Sequence, residues 1–93
     1  MNKETILAEL RKHHEELAAF GITKIGLFGS YLHQEATESS DIDLLVTFSR
    51  YTFDDYMGSK LFLETLFNKK VDLVIERSLK PRVQYVTKEA VYA

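Results

Sequence analysis

The stretch LFGSYLHQEATESSDIDLLV constrains the fold of this chain more than any other part of it. An apolar run ends in Gly29 and Ser30, ten residues follow, and Asp41 and Asp43 begin the next apolar run. Strand side chains alternate between the two faces of a sheet, so we expect both aspartates on one face and Ile42 on the other. The pattern therefore predicts two strands joined through a tight turn, with two carboxylates on the second strand.

The chemistry of this stretch is typical of a nucleotide site. Like charges on one face repel, and a divalent cation would offset the repulsion, because Mg²⁺ binds carboxylate and phosphate oxygens together. Gly29 and Ser30, placed before a helix, offer backbone N–H groups to a phosphate. Asp72, the lone charge in the third apolar run VDLVI, would bring a third acid to the same face. The alternative is three unrelated surface acids on ordinary turns and strand ends.

Helical and strand patterns alternate along residues 1–93 and predict a single α/β domain in the order α-β-(short α)-β-α-β-α. Strands are expected over residues 22–28, 42–48 and 71–75, and a first helix over residues 3–20, ended by Gly21. A short helix and a loop should occupy residues 31–40. A helix capped by Thr52 should run to about residue 68, and Ser78 should cap a final helix with Pro81 in its first turn.

The helix that follows Thr52 has more apolar surface than one buried stripe requires, with Phe53, Tyr56, Leu61 and Phe62 among its side chains. Either both sides are buried within the domain, or part of the helix forms an interface with a partner or a second copy. In the first helix, His13 or His14 falls near the apolar stripe, and a partly buried structural histidine is expected rather than a metal ligand.

Composition argues against several classes of function. A net charge of −2 gives no basic surface for nucleic acid, and the absence of cysteine excludes disulfides and thiolate metal sites. No apolar run approaches the roughly 20 residues of a membrane span, and the first residues lack a secretory h-region. These features favour a cytoplasmic protein.

At these residues the chain resembles the minimal nucleotidyltransferases (MNT) of the polymerase-beta-like superfamily. Their pattern is GS, ten residues, DxD and a later carboxylate on a neighbouring strand, which Gly29, Ser30, Asp41, Asp43 and Asp72 match. The ending TKEAVY also resembles this family. The resemblance implies a small mixed sheet flanked by helices, an α/β (α+β) fold.

The resemblance also implies a reaction and a partner. Gly29 and Ser30 would hold the triphosphate of ATP, and Asp41 and Asp43 would bind Mg²⁺. Asp72 would be the third acid and metal ligand, activating the acceptor. Small members are often paired with a HEPN-domain ribonuclease toxin, and as antitoxins they can transfer AMP to a tyrosine of that toxin.

One departure from the family concerns the turn after Ser30, where relatives have an arginine-rich GSRARGEA. Here Tyr31 and His33 replace the arginines, so we expect weaker triphosphate binding or help from a partner. His33 is either a phosphate contact or an exposed loop residue, and Tyr31 is expected to pack. A weakly active or idle antitoxin that neutralises a helical partner by contact is therefore an alternative function. Transfer to a small molecule such as an aminoglycoside ranks last, because no second domain would hold the acceptor.

Overall fold

Four strands in the order β3-β2-β1-β4 form the sheet in the computed structural model, which describes residues 1–93. The strands are β1 (Ile22–Phe28), β2 (Ile42–Phe48), β3 (Val71–Ile75) and β4 (Val91–Tyr92). The helices are α1 (Lys3–Lys12), α2 (His14–Ala19), α3 (Gly29–Leu32), α4 (Phe53–Phe67) and α5 (Tyr85–Glu89), with 3₁₀ turns at Glu76–Ser78 and Pro81–Val83. The mixed α+β architecture confirms the predicted fold class.

The sheet is mixed because its strands pair in both directions. β1 runs antiparallel to β2 and to β4, whereas β2 and β3 are parallel and joined through α4. The three longer strands have the predicted bounds. β4 was not expected, and it pairs Tyr92 with Gly26, where a side chain on the glycine would collide with the tyrosine ring.

The core lies between the sheet and the layer made by α1, α2 and α4. Alternate residues of β2 point into it, and Ile42, Leu44 and Val46 are at most 1% exposed. Leu45, on the opposite face, is also fully buried. The centre of β2 is therefore covered on both faces, as a nearly continuous apolar run indicates. None of the helices combines the length and apolar character that crossing a bilayer requires.

α4 begins and ends as its sequence predicts. The Thr52 side chain accepts a hydrogen bond from the Asp55 N–H, and Asn68 ends the helix in the left-handed conformation. The helix is not buried on all sides, because Phe53 is 67% exposed and Leu61 is 59% exposed. These two apolar side chains remain available at the surface.

The prediction of one continuous first helix is wrong, because the helix is interrupted at His13 and divides into α1 and α2. The His13 ring contacts Glu16 at 2.8 Å and packs edge-on against Phe62 of α4. The contact with Phe62 is tertiary, and tertiary packing can override a continuous helical pattern. The expectation of a partly buried structural histidine is met at His13, which is half-buried.

The predicted final helix is also wrong. Ser78 caps nothing, and the segment forms two 3₁₀ turns before the short helix α5. A residue before proline is driven out of the helical region, and Lys80 accordingly is extended, with φ −70° and ψ 152°. A helix starting near Ser78 therefore cannot continue into Pro81.

Candidate active site

Asp43 and Asp72 lie side by side on the parallel strands β2 and β3, where they are register partners. Side chains at paired positions of neighbouring strands point to the same face, so the two carboxylates share the face opposite the helices. Asp43 is half-buried, whereas Asp72 is exposed on the edge strand. The prediction that Asp72 shares a face with the earlier aspartates is therefore met for Asp43.

Asp41 lies just before β2 and not within it, which corrects the prediction of two carboxylates on the strand. The ladder begins one residue later, with the Ile42 N–H donating to the carbonyl of Lys70 at 3.0 Å. Asp41 is exposed at the end of the preceding loop. Its charge still reaches Asp43, whose pKa it helps to raise.

Gly29 allows the turn at the end of β1 to approach Asp43 closely. Its φ is +75°, in the region that glycine adopts without strain, and a Cβ there would collide with the Asp43 carboxylate. The next backbone N–H, that of Ser30, hydrogen-bonds toward Asp43 and favours its charged form. The Gly29–Ser30 turn and Asp43 are therefore in direct contact.

Burial and charge act against ionisation of Asp43. Burial raises the pKa of its carboxyl above the usual value, and the carboxylates of Asp72 and then Asp41 raise it further. Carboxylate oxygens with unrelieved repulsion are the donors that a hard divalent cation takes. The three acids do not form a closed cluster of metal ligands with their side chains in these positions. A cation would therefore have to draw them together.

The edge of the sheet beside Asp72 is covered by side chains of α4. The Tyr56 hydroxyl donates to the carbonyl of Leu73 at 2.6 Å, and a Glu64 carboxylate oxygen accepts from the Val71 N–H at 3.0 Å. Burial, and then the charge of Asp72, raises the pKa of Tyr56 and keeps it a donor. Both bonds hold the backbone flanking Asp72. The sequence did not predict these two hydrogen bonds, because a polar side chain in an apolar helix does not show which backbone group it will contact.

The side chains after Ser30 do not replace the absent arginines as free phosphate ligands. Tyr31 is 8% exposed and packs in the core cluster, as predicted. His33 is exposed, and its Nε2 lies 3.2 Å from a Glu89 carboxylate oxygen at the end of α5. The imidazole therefore connects the turn to the C-terminal segment.

Comparison with known proteins places the chain among nucleotidyltransferases. The sequence profile described as "Nucleotidyltransferase domain" matches residues 6–93. The protein adenylyltransferase MntA of Thermococcus cleftensis is 40% identical over 92 residues, covering 96% of this chain and 93% of that protein.

Solved structures give the same result. A structure described as a minimal nucleotidyltransferase superposes with a TM-score of 0.84 and 40% identity, covering 98% of this chain and 95% of its own. A chain from a mutant of the toxin–antitoxin pair MntA-HpeT has a TM-score of 0.66 and 26% identity, covering 100% of this chain and 72% of its own.

Proposed function

The chain belongs to the nucleotidyltransferase domain family, and we propose that it transfers AMP from ATP to a hydroxyl group of a partner protein. A protein acceptor is supported by the 40% identity to MntA of Thermococcus cleftensis, which is a protein adenylyltransferase. The match over residues 6–93 supports residues 1–93 as one minimal nucleotidyltransferase domain.

The observation that carries this proposal is the placement of Asp43 between Asp72 and the Gly29–Ser30 turn. In the proposal, Gly29 and Ser30 hold the triphosphate through the turn at the end of β1. Asp41, Asp43 and Asp72 form the acidic side of the site. A triphosphate would then have its α-phosphorus near the carboxylates and its terminal phosphates near the turn.

The acids fit a divalent metal by the chemistry of their donors. Their oxygens are hard ligands, and the raised pKa of Asp43 reports negative charge that a cation would offset. We propose that Asp41, Asp43 and Asp72 hold Mg²⁺. When bound, Mg²⁺ supplies positive charge that neutralises phosphate oxygens during the displacement.

The transfer is a single displacement at phosphorus. The acceptor oxygen, which we propose is a tyrosine hydroxyl, forms a bond to the α-phosphorus of ATP, and the bond from that phosphorus to the bridging oxygen breaks. Pyrophosphate leaves with the electron pair of the broken bond, and the hydroxyl proton passes to the Asp72 carboxylate. Asp72 suits this role because it is exposed at the sheet edge, where the surface of another protein can reach it.

We propose that the partner is a HEPN-domain toxin and that the chain acts as its antitoxin in the cytoplasm. The similarity to a chain of the MntA-HpeT toxin–antitoxin pair supports this pairing. The exposed Phe53 and Leu61 of α4 offer apolar surface for a helical protein.

The test is transfer of labelled AMP from ATP, with Mg²⁺, to a co-purified HEPN-domain partner. Asp41→Asn and Asp43→Asn should each reduce labelling at least about 100-fold, while circular dichroism shows an intact fold. The mass of the modified partner should rise by one AMP, on a tyrosine-containing peptide. Unchanged labelling in both variants would contradict the proposed site.

A second candidate function is neutralisation of the toxin by contact, without transfer. It is favoured by the lack of arginine after Ser30 and by the contact that engages His33 with Glu89. An Asp41→Asn/Asp43→Asn double variant separates the two functions. Full protection of cells from the toxin by this variant would support contact, and loss of protection would support transfer.

A further inference from the structure

We propose that Lys69 is a positioning residue of the nucleotide site, which it serves by fixing the loop between the site's two halves. The loop of residues 33–41 joins the Gly29–Ser30 turn to Asp41, so its shape sets the position of Asp41, whereas the pairing of Phe28 with Asp43 fixes Asp43 beside the turn. The inference rests on the proposed function, because it assumes that ATP binds across these two halves.

Lys69 reaches the loop from the connection between α4 and β3. It lies between Asn68, which ends α4, and the start of β3, and its side chain is half-buried. The Lys69 ammonium group donates to the carbonyl of Glu38 at 2.7 Å. This distance is at the short end for a charged N–H donor, as in a strong charge-assisted hydrogen bond.

The middle of the loop has no other side-chain hydrogen bond to the rest of the protein. Thr37 and Ser40 bond only within the loop, with the Thr37 N–H donating to the Ser40 hydroxyl at 2.8 Å and the Ser40 N–H donating to the Thr37 carbonyl at 3.0 Å. The other tether is at the loop's first residue, where His33 meets Glu89. Ala36 packs against the core cluster, and beyond it Lys69 provides the side-chain hydrogen bond that ties residues 37–40 to the rest of the protein.

Lys69 also contacts the element that carries Ser30. Its ammonium nitrogen lies 5.9 Å from the ring centroid of Tyr31, the residue directly after Ser30, and that ring is buried. Asp72 follows Lys69 by three residues at the start of β3. One side chain thus connects the segments bearing Ser30, Asp41 and Asp72.

If Lys69 positions the loop, its removal should weaken nucleotide binding more than it weakens the fold. Losing one charge-assisted hydrogen bond that preorganises the site corresponds to about a tenfold higher dissociation constant. We expect this effect for Mg²⁺ with AMP-PNP, an ATP analogue that needs no acceptor protein. Because Arg can also donate to a carbonyl, Lys69→Arg should recover most of the affinity.

The experiment measures the dissociation constant of AMP-PNP with Mg²⁺ by calorimetry on the full chain and on its variants. Lys69→Met removes the tether. Lys12→Met removes one positive charge at the exposed end of α1, and should leave the constant unchanged. Glu38→Ala should also leave it unchanged, because the tether ends on the carbonyl of Glu38 and not on its carboxylate.

Hydrogen exchange provides the readout that separates positioning from general stability. The expected result for Lys69→Met is about tenfold weaker binding with faster exchange confined to amides of residues 36–41. A lowered melting temperature with unchanged AMP-PNP affinity would assign Lys69 a structural role only and overturn the inference. If the unmodified chain fails to bind AMP-PNP, the proposed nucleotide site fails instead, so the two failures are distinguishable.

Discussion

The two faces of β2 serve different purposes. On the helix side, Ile42, Leu44 and Val46 are at most 1% exposed and fill the core. On the other side, Asp43 is half-buried beside Asp72, and both burial and like charge raise its pKa. One face of the strand is therefore wholly apolar and buried, whereas the other combines the buried Leu45 with like charges that repel at Asp43. Repelling charges kept beside a well-packed core are typical of functional sites.

The largest effect is expected on the core face. Leu44→Ala removes a fully buried side chain from the centre of the sheet and should lower the free energy of unfolding by about 2–5 kcal/mol. Urea denaturation followed by circular dichroism measures this loss. A loss below about 1 kcal/mol would show that the core can collapse around the gap, and would weaken the contrast between the faces.

Gly29→Ala tests the boundary between the core and the acidic face. The alanine would have to keep a φ of +75°, and its Cβ would collide with the Asp43 carboxylate. Stability should fall by about 1–3 kcal/mol, and AMP transfer should be lost because the turn must move away from the acid. The measurements are urea denaturation and the labelling assay. Wild-type activity in this variant would contradict the close approach of turn and acid.

Tyr56→Phe tests how the edge strand beside Asp72 is held. It leaves the Leu73 carbonyl without its donor, so we expect a loss of about 0.5–1.5 kcal/mol by urea denaturation. Tyr85→Phe is the matched control, because the Tyr85 side chain is 57% exposed and makes no hydrogen bond. Equal effects of the two changes would show that the bond to Leu73 adds no stability.

The smallest effect has the opposite sign. Asp43→Asn removes the repelled charge, so the melting temperature should rise by about 2–4 °C, as relief of about 0.5 kcal/mol of solvent-screened repulsion would give. Differential scanning calorimetry without divalent metal measures the change. A lower melting temperature would show that the Ser30 hydrogen bond to Asp43 outweighs the repulsion.

The rise in melting temperature caused by Asp43→Asn should depend on pH. Because the pKa of Asp43 in the folded chain is above its ordinary value of 3.8, the folded state holds this proton at a higher pH than the unfolded chain does. Ionisation of Asp43 therefore lowers stability as the pH rises from 3.8 through the folded pKa. The melting temperatures of the variant and the wild type should converge near about pH 3 and differ most near about pH 7.

Local patterns explain why part of this fold could be predicted. β2 and β3 are short apolar runs flanked by polar residues, and α4 has its cap at Thr52, so each is defined by its own residues. The structure of the C-terminal segment, in contrast, is not defined by its own local pattern. Lys80 is extended because of the following proline, and Tyr92 pairs with Gly26 from the other end of the chain, so local periodicity could not predict either.

Part of the candidate site could also be predicted from the sequence, and part could not. The spacing from Gly29-Ser30 to Asp41 and Asp43 is visible in the sequence, and so is Asp72 as an unusual charge in an apolar strand. The apolar run begins the strand at residue 42, whereas the DxD pattern also placed Asp41 on it, and the hydrogen bond from the Ile42 N–H to the Lys70 carbonyl decides for the apolar run.

The residue types of the candidate site, their order and the family could be predicted from the chain alone, because these depend on covalent spacing and on strand alternation. The folded domain, in contrast, was needed to show that β3 lies parallel to β2 with Asp72 opposite Asp43, and that His33 bonds to Glu89. The same is true of the hydrogen bond from Lys69 to the carbonyl of Glu38. Register and long-range hydrogen bonds join residues far apart in the chain, and the packing of the whole domain selects them.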